Sequence, residues 1–270
     1  MASFLMPIPE GGTRIYAVLG DPVVQVQAPH FMNRIFRDGG VDAVMVPVHV
    51  SPLDLPTVLT GLQKIRNLDG ILVTIPHKFA VCDFIEKPSA MVQLTGAANA
   101  LRRGADGRWE GENFDGRGFV AGLQKNGHTI SGNHVAMVGT GGAGVAIAAA
   151  LVDSGVAMLT VSDLSAHKAN QLVVRLNTMR SGVARFQPQI DWSNIDIAIN
   201  ATPMGLQEED PLPFDVAALR AGTVVAEVIM KPPQTRLLTA AAERGLAIHH
   251  GIHMLSSQIE LYRAFFGIDR

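Results

Sequence analysis

Val135-Ala136-Met137-Val138-Gly139-Thr140-Gly141-Gly142-Ala143-Gly144 sets three glycines at G-x-G-x-x-G spacing, after an apolar run and before a stretch of small residues. In that setting the loop holds a dinucleotide. Gly139 permits the tight turn, Gly141 lets the backbone approach a pyrophosphate, and Gly144 lets helix and strand pack closely. Helix amides and the helix dipole then bind phosphate without a lysine. The spacing alone also fits a glycine-rich turn. Because residues 135–152 carry no charged side chain, it fits a membrane span too. Asp163, ending the next apolar run, weighs for the dinucleotide. A carboxylate there accepts hydrogen bonds from the adenosine ribose and repels a 2′-phosphate. Leu164 follows it, residues 162–165 hold no arginine, and Lys168 reads as an exposed helix cation. The expected cofactor is NAD in preference to NADP.

A second set of polar residues lies in the first half. Val73-Thr74-Ile75-Pro76-His77-Lys78 puts Thr74 and Lys78 at the C-terminal end of an apolar run, where open α/β sheets bind ligands. A lysine partly withdrawn from water can serve as general acid or base. Asn99 and Asp115 add an amide and a carboxylate near turns. Each has a plainer reading: a solvated cation, a turn residue, a helix N-cap. His249, His250 and His253 lack a carboxylate or cysteine at ligand spacing, so no metal is expected; His253 is a candidate contact to cofactor or substrate. Cys82 has no histidine–aspartate arrangement around it, and as the single cysteine it excludes an intramolecular disulfide.

The elements that must carry these residues alternate between strand and helix. Strands are expected at 14–19, 41–50, 71–75, 98–102 and near Trp109, then at 134–138, 156–162, 195–200, 223–229 and 247–250. Helices are expected at 28–37, from a Ser51 cap to 66, and at 115–126, 142–154, 165–180, 235–244 and 255–266. Runs apolar on both faces and separated by helices indicate parallel sheets, hence an α/β protein. Only 17% of the 270 residues are charged and the mean hydropathy is +0.22, which raises the membrane question. The glycines within 135–152 and the absence of a second such stretch answer it with a soluble protein, expected in the cytoplasm. A net charge of −2 gives no support for nucleic-acid binding.

Gly20-Asp21-Pro22, the Val73–Lys78 segment, Gly96-Ala97-Ala98-Asn99, Asp115-Gly116-Arg117-Gly118, the glycine loop, Asn200-Ala201-Thr202-Pro203-Met204-Gly205 and Gly251-Ile252-His253-Met254-Leu255, with Gln258, stand in one order along nearly the whole chain. Together they resemble the shikimate dehydrogenase family. The resemblance implies a substrate-binding domain, residues 1–117 completed by 252–270, and a Rossmann domain, residues 118–251, with the active site in a cleft between them. It implies Lys78 as catalytic lysine with Asp115 as its partner. Thr74, Asn99 and Gln258 match positions that bind ring hydroxyls. Asn200, Thr202, Pro203, Met204, Val228, Gly251 and Met254 match the nicotinamide side of the cofactor site; Gly139, Gly141, Gly142, Ala143, Gly144, Asp163 and Leu164 match the adenosine and phosphate side. A small-molecule substrate and a homodimer complete the expectation.

The departures from that family fall on the substrate side. Its members usually carry a Ser-x-Ser-Pro segment that holds the substrate carboxylate, where this chain has Val26-Gln27-Ala28-Pro29. A tyrosine is replaced by Met230, an asparagine by Leu72 and a threonine by Phe114. Depriving a carboxylate of its hydrogen bonds changes specificity by orders of magnitude. Three readings follow. One is weak oxidation of shikimate or quinate, with Gln25 or Gln27 at the carboxylate. Another is a dehydrogenase for a different cyclic polyol. The third is a nucleotide-binding regulatory protein with little turnover, against which the joint retention of Lys78, Asp115, Asn99 and Gln258 argues.

Overall fold

The computed structural model describes residues 8–268, which fold as two compact units dividing at Phe114/Asp115 and again at Gln258/Ile259. The first unit contains β1 (Arg14–Gly20), α1 (Ala28–Asp38), β2 (Ala43–His49), α2 (Leu55–Leu62), β3 (Leu68–Val73), β4 (Lys87–Pro88), α3 (Ala90–Thr95), β5 (Ala100–Arg103) and β6 (Trp109–Glu112). Its sheet has the order β2-β1-β3-β5-β6-β4. β1 and β3 are buried nearly throughout, as continuous apolar runs require. Leu19, Leu59, Ile71 and Leu101 belong to the core they form.

The sheet is not wholly parallel, contrary to expectation. β5 runs antiparallel to both β3 and β6. Residues 104–108 join β5 to β6, with Gly107 at φ 82°. A connection that short makes a hairpin, whereas a parallel crossover needs a dozen residues or more. The helix expected from Ser51 begins only at Leu55. A start at Pro52 would require the Pro56 nitrogen to donate to the Pro52 carbonyl, and proline has no N–H. Ser51 instead forms a turn, its carbonyl accepting from the Asp54 and Leu55 amides, and Pro56 sits in the helix's first turn. Two short elements, β4 and α3, carry too little periodicity to read in sequence. Cys82 lies in a 3-10 turn, Ala80–Phe84, rather than in an α-helix.

The second unit contains α4 (Asp115–Lys125), β7 (His134–Val138), α5 (Gly142–Asp153), β8 (Met158–Ser162), α6 (Ala166–Met179), β9 (Ala184–Phe186), β10 (Ile197–Asn200), β11 (Val224–Glu227), α7 (Arg236–Glu243) and β12 (Ala247–His249). A last helix, α8 (Ile252–Phe266), starts in this unit and ends in the first. The sheet order is β12-β11-β10-β7-β8-β9 and every pairing is parallel. This is the doubly wound arrangement in which the order reverses beside the first strand, here β7. The apolar stretch that suggested a membrane span is β7, the glycine loop and α5. No helix among the described residues is long and apolar enough to cross a membrane. The small residues of α5 have a packing reason: a Cβ on Gly116 would overlap the Ala146 carbonyl, so α4 and α5 approach backbone to backbone.

Candidate active site

In the first unit the candidate residues gather at the C-terminal ends of β1 and β3. The Thr74 amide donates to Leu19 O at 2.8 Å and the Asp21 amide to Ile75 O at 2.9 Å, which joins the two strand-end loops. A Cβ on Gly20 would come within 2.5 Å of the Thr74 methyl, so glycine is required there. Lys78 follows in a turn held from below by His77, whose Nε2 lies 2.8 Å from Val50 O. The Lys78 carbonyl accepts from the Ala98 amide at 2.8 Å, and Val73 N donates to Asn99 O at 2.8 Å. Lys78 and Asn99 are therefore brought together, and both are buried, at 7% and 2% exposure. The Asn99 side chain accepts from Phe114 N at 2.9 Å and donates to the Tyr262 hydroxyl at 3.1 Å. Tyr262 packs edge-on against Phe114. Sequence reasoning missed Tyr262; its place four residues after Gln258, one helical turn along α8, was the available signal.

The loop after β1 has little to offer an acid. Gln27 Nε2 donates to Gln25 O and Val26 O, and Gln25 Nε2 donates to Pro22 O at 2.8 Å. That last bond fixes the Gln25 amide orientation, and its Oε1 is buried without a donor. The amide groups of both glutamines are thus engaged within the segment.

In the second unit Asp115 opens α4 and accepts from Gln258 Nε2 at 3.2 Å, both side chains being buried. Gly118 has no Cβ because one would overlap Gln258. The glycine loop has the shape its spacing implies. Gly139 takes φ 103°, and a Cβ on Gly144 would overlap the Gly139 carbonyl oxygen. A Cβ on Gly141, by contrast, would have nothing within 4 Å, and Gly141 caps α5 without a side chain. That open face beside helix amides is a cradle for phosphate, and the residues present fit a dinucleotide. Asp163 is fastened to the loop: its Oδ2 accepts from Thr140 N at 2.6 Å and Oγ1 at 2.8 Å, its Oδ1 from Ser165 N at 2.8 Å. Burial pushes this carboxyl up, but these bonds outweigh it and hold it below its ordinary value. Leu164 is fully exposed.

Asn200 and Glu227 stand side by side at the ends of the paired strands β10 and β11, both wholly buried. Asn200 Oδ1 accepts from the Thr202 amide and hydroxyl, and Nδ2 donates to Met204 O and to the Glu227 carboxylate. With its amide so engaged, Asn200 shapes the turn through Pro203. A Cβ on Gly251 would overlap Ile229 O, so that strand end also lies against the loop after β11. Val228 and Met230 in that loop are half-buried, and Met254 is buried in α8.

Two buried groups here make stability depend on pH. Burial pushes the Glu227 carboxyl up to about 7, against the pull of its hydrogen bonds. A raised folded value stabilises the protein below the unfolded one and is lost as pH climbs to about 7, a loss of about 3 kcal/mol. Burial also lowers His249 to about 3, helped by His253, His128 and His250, and neither ring nitrogen has a partner. That contribution is present above the unfolded value and fades as pH falls, by about 2 kcal/mol at about pH 5. Thermal unfolding followed against pH should therefore show a maximum, with Glu227→Gln flattening its alkaline side and His249→Phe its acid side. A profile that neither substitution alters would contradict these assignments. Among the described residues no group of histidines, cysteines and carboxylates could hold a metal ion.

A doubly wound unit with a glycine-loop cradle, beside an α/β unit that buries a lysine at its strand ends, defines a nucleotide-dependent enzyme of the two-domain α/β class. A family model described as the shikimate dehydrogenase substrate binding domain matches residues 18–101. The shikimate dehydrogenase (NADP(+)) of Rubrobacter xylanophilus is 33% identical over 98% of this chain and 94% of its own. Among solved structures, the quinate dehydrogenase of Corynebacterium glutamicum in complex with NAD superposes with a TM-score of 0.82 at 28% identity, covering 94% of each chain. The ligand-free 5-ketofructose reductase of Gluconobacter sp. strain CHM43 does so with 0.81 at 28%, covering 94% of this chain and 92% of that one. The chain belongs to the shikimate dehydrogenase family, whose fold is a substrate domain and a Rossmann domain.

Proposed function

We propose that the protein is an NAD-dependent dehydrogenase that interconverts a secondary alcohol and a ketone on a shikimate- or quinate-like ring. The observation that carries this reading is the burial of Lys78 beside Thr74 and Asn99 at the strand ends of its own unit. In alcohol oxidation Lys78 takes the hydroxyl proton, and in ketone reduction it returns it. Asp115, kept in place by Gln258, is the partner that the family resemblance gives Lys78. Thr74 and Asn99 bind neighbouring hydroxyls. The nicotinamide cofactor supplies the hydride acceptor. Gly139 to Gly144 hold its phosphates, and Asp163 with Leu164 favours NAD: a fixed carboxylate beside an exposed leucine gives a 2′-phosphate a repulsive charge and no cation. The NAD complex of the quinate dehydrogenase supports that preference, whereas the R. xylanophilus relative is named for NADP. Initial rates with each cofactor and with shikimate, quinate and uncharged polyols test the proposal; no turnover with any of them would defeat it.

The loop after β1 favours a second reading, an uncharged polyol or ketose as substrate. Val26 and Ala28 have no hydroxyls, and the Gln25 and Gln27 amide groups are engaged within the loop. The 5-ketofructose reductase is a relative in shape with a substrate of that kind in its name. Val26→Ser with Ala28→Ser should raise kcat/KM for shikimate about tenfold or more, since a hydrogen bond to a charged group contributes about 1.5–3 kcal/mol. An unchanged ratio of shikimate to uncharged polyol would show that these positions do not meet the carboxylate.

A further inference from the structure

Glu227 is the common anchor of three segments in the nucleotide-binding unit. Its Oε1 accepts from Asn200 Nδ2 at 3.0 Å, Val228 N at 2.9 Å and Ile229 N at 3.1 Å. Its Oε2 accepts from Asn200 Nδ2 and from Thr235 Oγ1, each at 3.1 Å. Through Asn200 the carboxylate fixes the 200–204 turn, because Asn200 also holds Thr202 and Met204. Through the two amides it fixes the 228–229 segment against which Gly251 packs. Through Thr235, which caps α7 by accepting from Leu238 N, it fixes the far end of the 228–235 loop. The residues matching the nicotinamide end of the site therefore hang on one carboxyl group that is wholly shielded from water.

Among the described residues no cation is bonded to it. The titratable groups on the surrounding elements include His249 on β12, paired through Ala226, exposed Lys231 in the loop, and on α7 Arg236, whose guanidinium bonds the Glu208 and Asp210 carbonyls, with exposed Glu243 at the helix's other end. None hydrogen-bonds Glu227 among the described residues. Each of these partners is a donor or, for Thr235, a hydroxyl able to reverse, so the ionised form makes the full set of bonds. The protonated form must turn one oxygen into a donor and loosens part of it.

We propose that Glu227 is the positioning residue of the nicotinamide end of this site, and that its carboxyl gives up a proton when the cofactor binds. This rests on the reading of the unit as dinucleotide-binding. The burial that raises its proton affinity to neutral pH places the exchange within the working range. Ordering the loops favours the ionised form, and by linkage the ionised form binds cofactor more tightly.

Calorimetric titration of the whole protein with NAD, without substrate, tests this between about pH 6 and 8.5 in buffers of different ionisation enthalpy. The wild type should bind about three- to tenfold more tightly at the alkaline end, the range a bound-state shift of up to one unit produces. It should also release a fraction of a proton near neutrality. Glu227→Gln should bind with a pH-independent affinity below that of the alkaline wild type and release no proton. Glu227→Asp, which keeps the titration but shortens the reach, should bind more weakly and retain the pH dependence. A flat wild-type profile without proton release overturns the proposal, whether or not the variants fold, and so does a Glu227→Gln profile that keeps the step. Absence of binding by NAD and NADP at every pH would instead overturn the dinucleotide reading on which it rests.

Discussion

Lys78→Met should lower kcat by about 10²–10⁴-fold, the range a positioned general acid or base contributes, while NAD binding stays at its wild-type value. Lys78 is 7% exposed, and methionine keeps most of its buried stem while removing the proton carrier. The turn that presents it is built from backbone bonds and the His77 side chain, so the substitution leaves the scaffold in place. Stopped-flow and steady-state rates with a turned-over substrate give kcat, and titration gives the cofactor affinity. A variant with undiminished kcat would remove Lys78 from the chemistry. Loss of NAD affinity in step with kcat would mean that the substitution had damaged the fold.

The exchange Asp163→Ser with Leu164→Arg should shift the ratio of kcat/KM for NADP to that for NAD by about 10²–10³-fold. Two effects add: the repulsive carboxylate goes, and a guanidinium arrives at a position that is fully exposed and free to reach a 2′-phosphate. Each charge-assisted contact contributes about 1.5–3 kcal/mol. Part of the change is loss of NAD binding, because Asp163 also fastens Thr140 of the glycine loop. Leu164→Arg alone should therefore improve NADP use while sparing the loop. A ratio unmoved by either variant would show that the adenosine ribose does not meet this strand end.

The architecture was legible wherever pattern and burial coincide. β1, β3, β7 and β8 are apolar runs flanked by turn residues, and the glycine spacing named its own loop. What escaped was set by contacts distant in sequence or by very short elements. Lys87–Pro88 and Ala184–Phe186 are strands only because neighbours lie alongside. The reversal of β5 depends on a hairpin whose shortness was visible but was not weighed. At the candidate site, chemistry and position singled out Asp163, whereas the family resemblance raised Lys78, Asn99 and Asp115 above their plainer readings and supplied Gln258. Glu227 was noticed only as part of a segment that departs from the family. Its role as an anchor needs three segments brought together by folding, which no local pattern encodes. Asn200 stands in a recognised motif, and its side-chain amide is engaged within the fold, a pairing that no local pattern reveals.

Hydride transfer between an alcohol carbon and nicotinamide, with Lys78 handling the proton, can be measured directly. The most direct measurement is incubation of wild type and Lys78→Met with NAD and a panel of ring and open-chain polyols, acids included, deuterated at the carbinol carbon. Reduced nicotinamide carrying the deuterium is expected with at least one of them, and a rate that collapses in Lys78→Met. Tight NAD binding with no reduced nicotinamide from any polyol would contradict it.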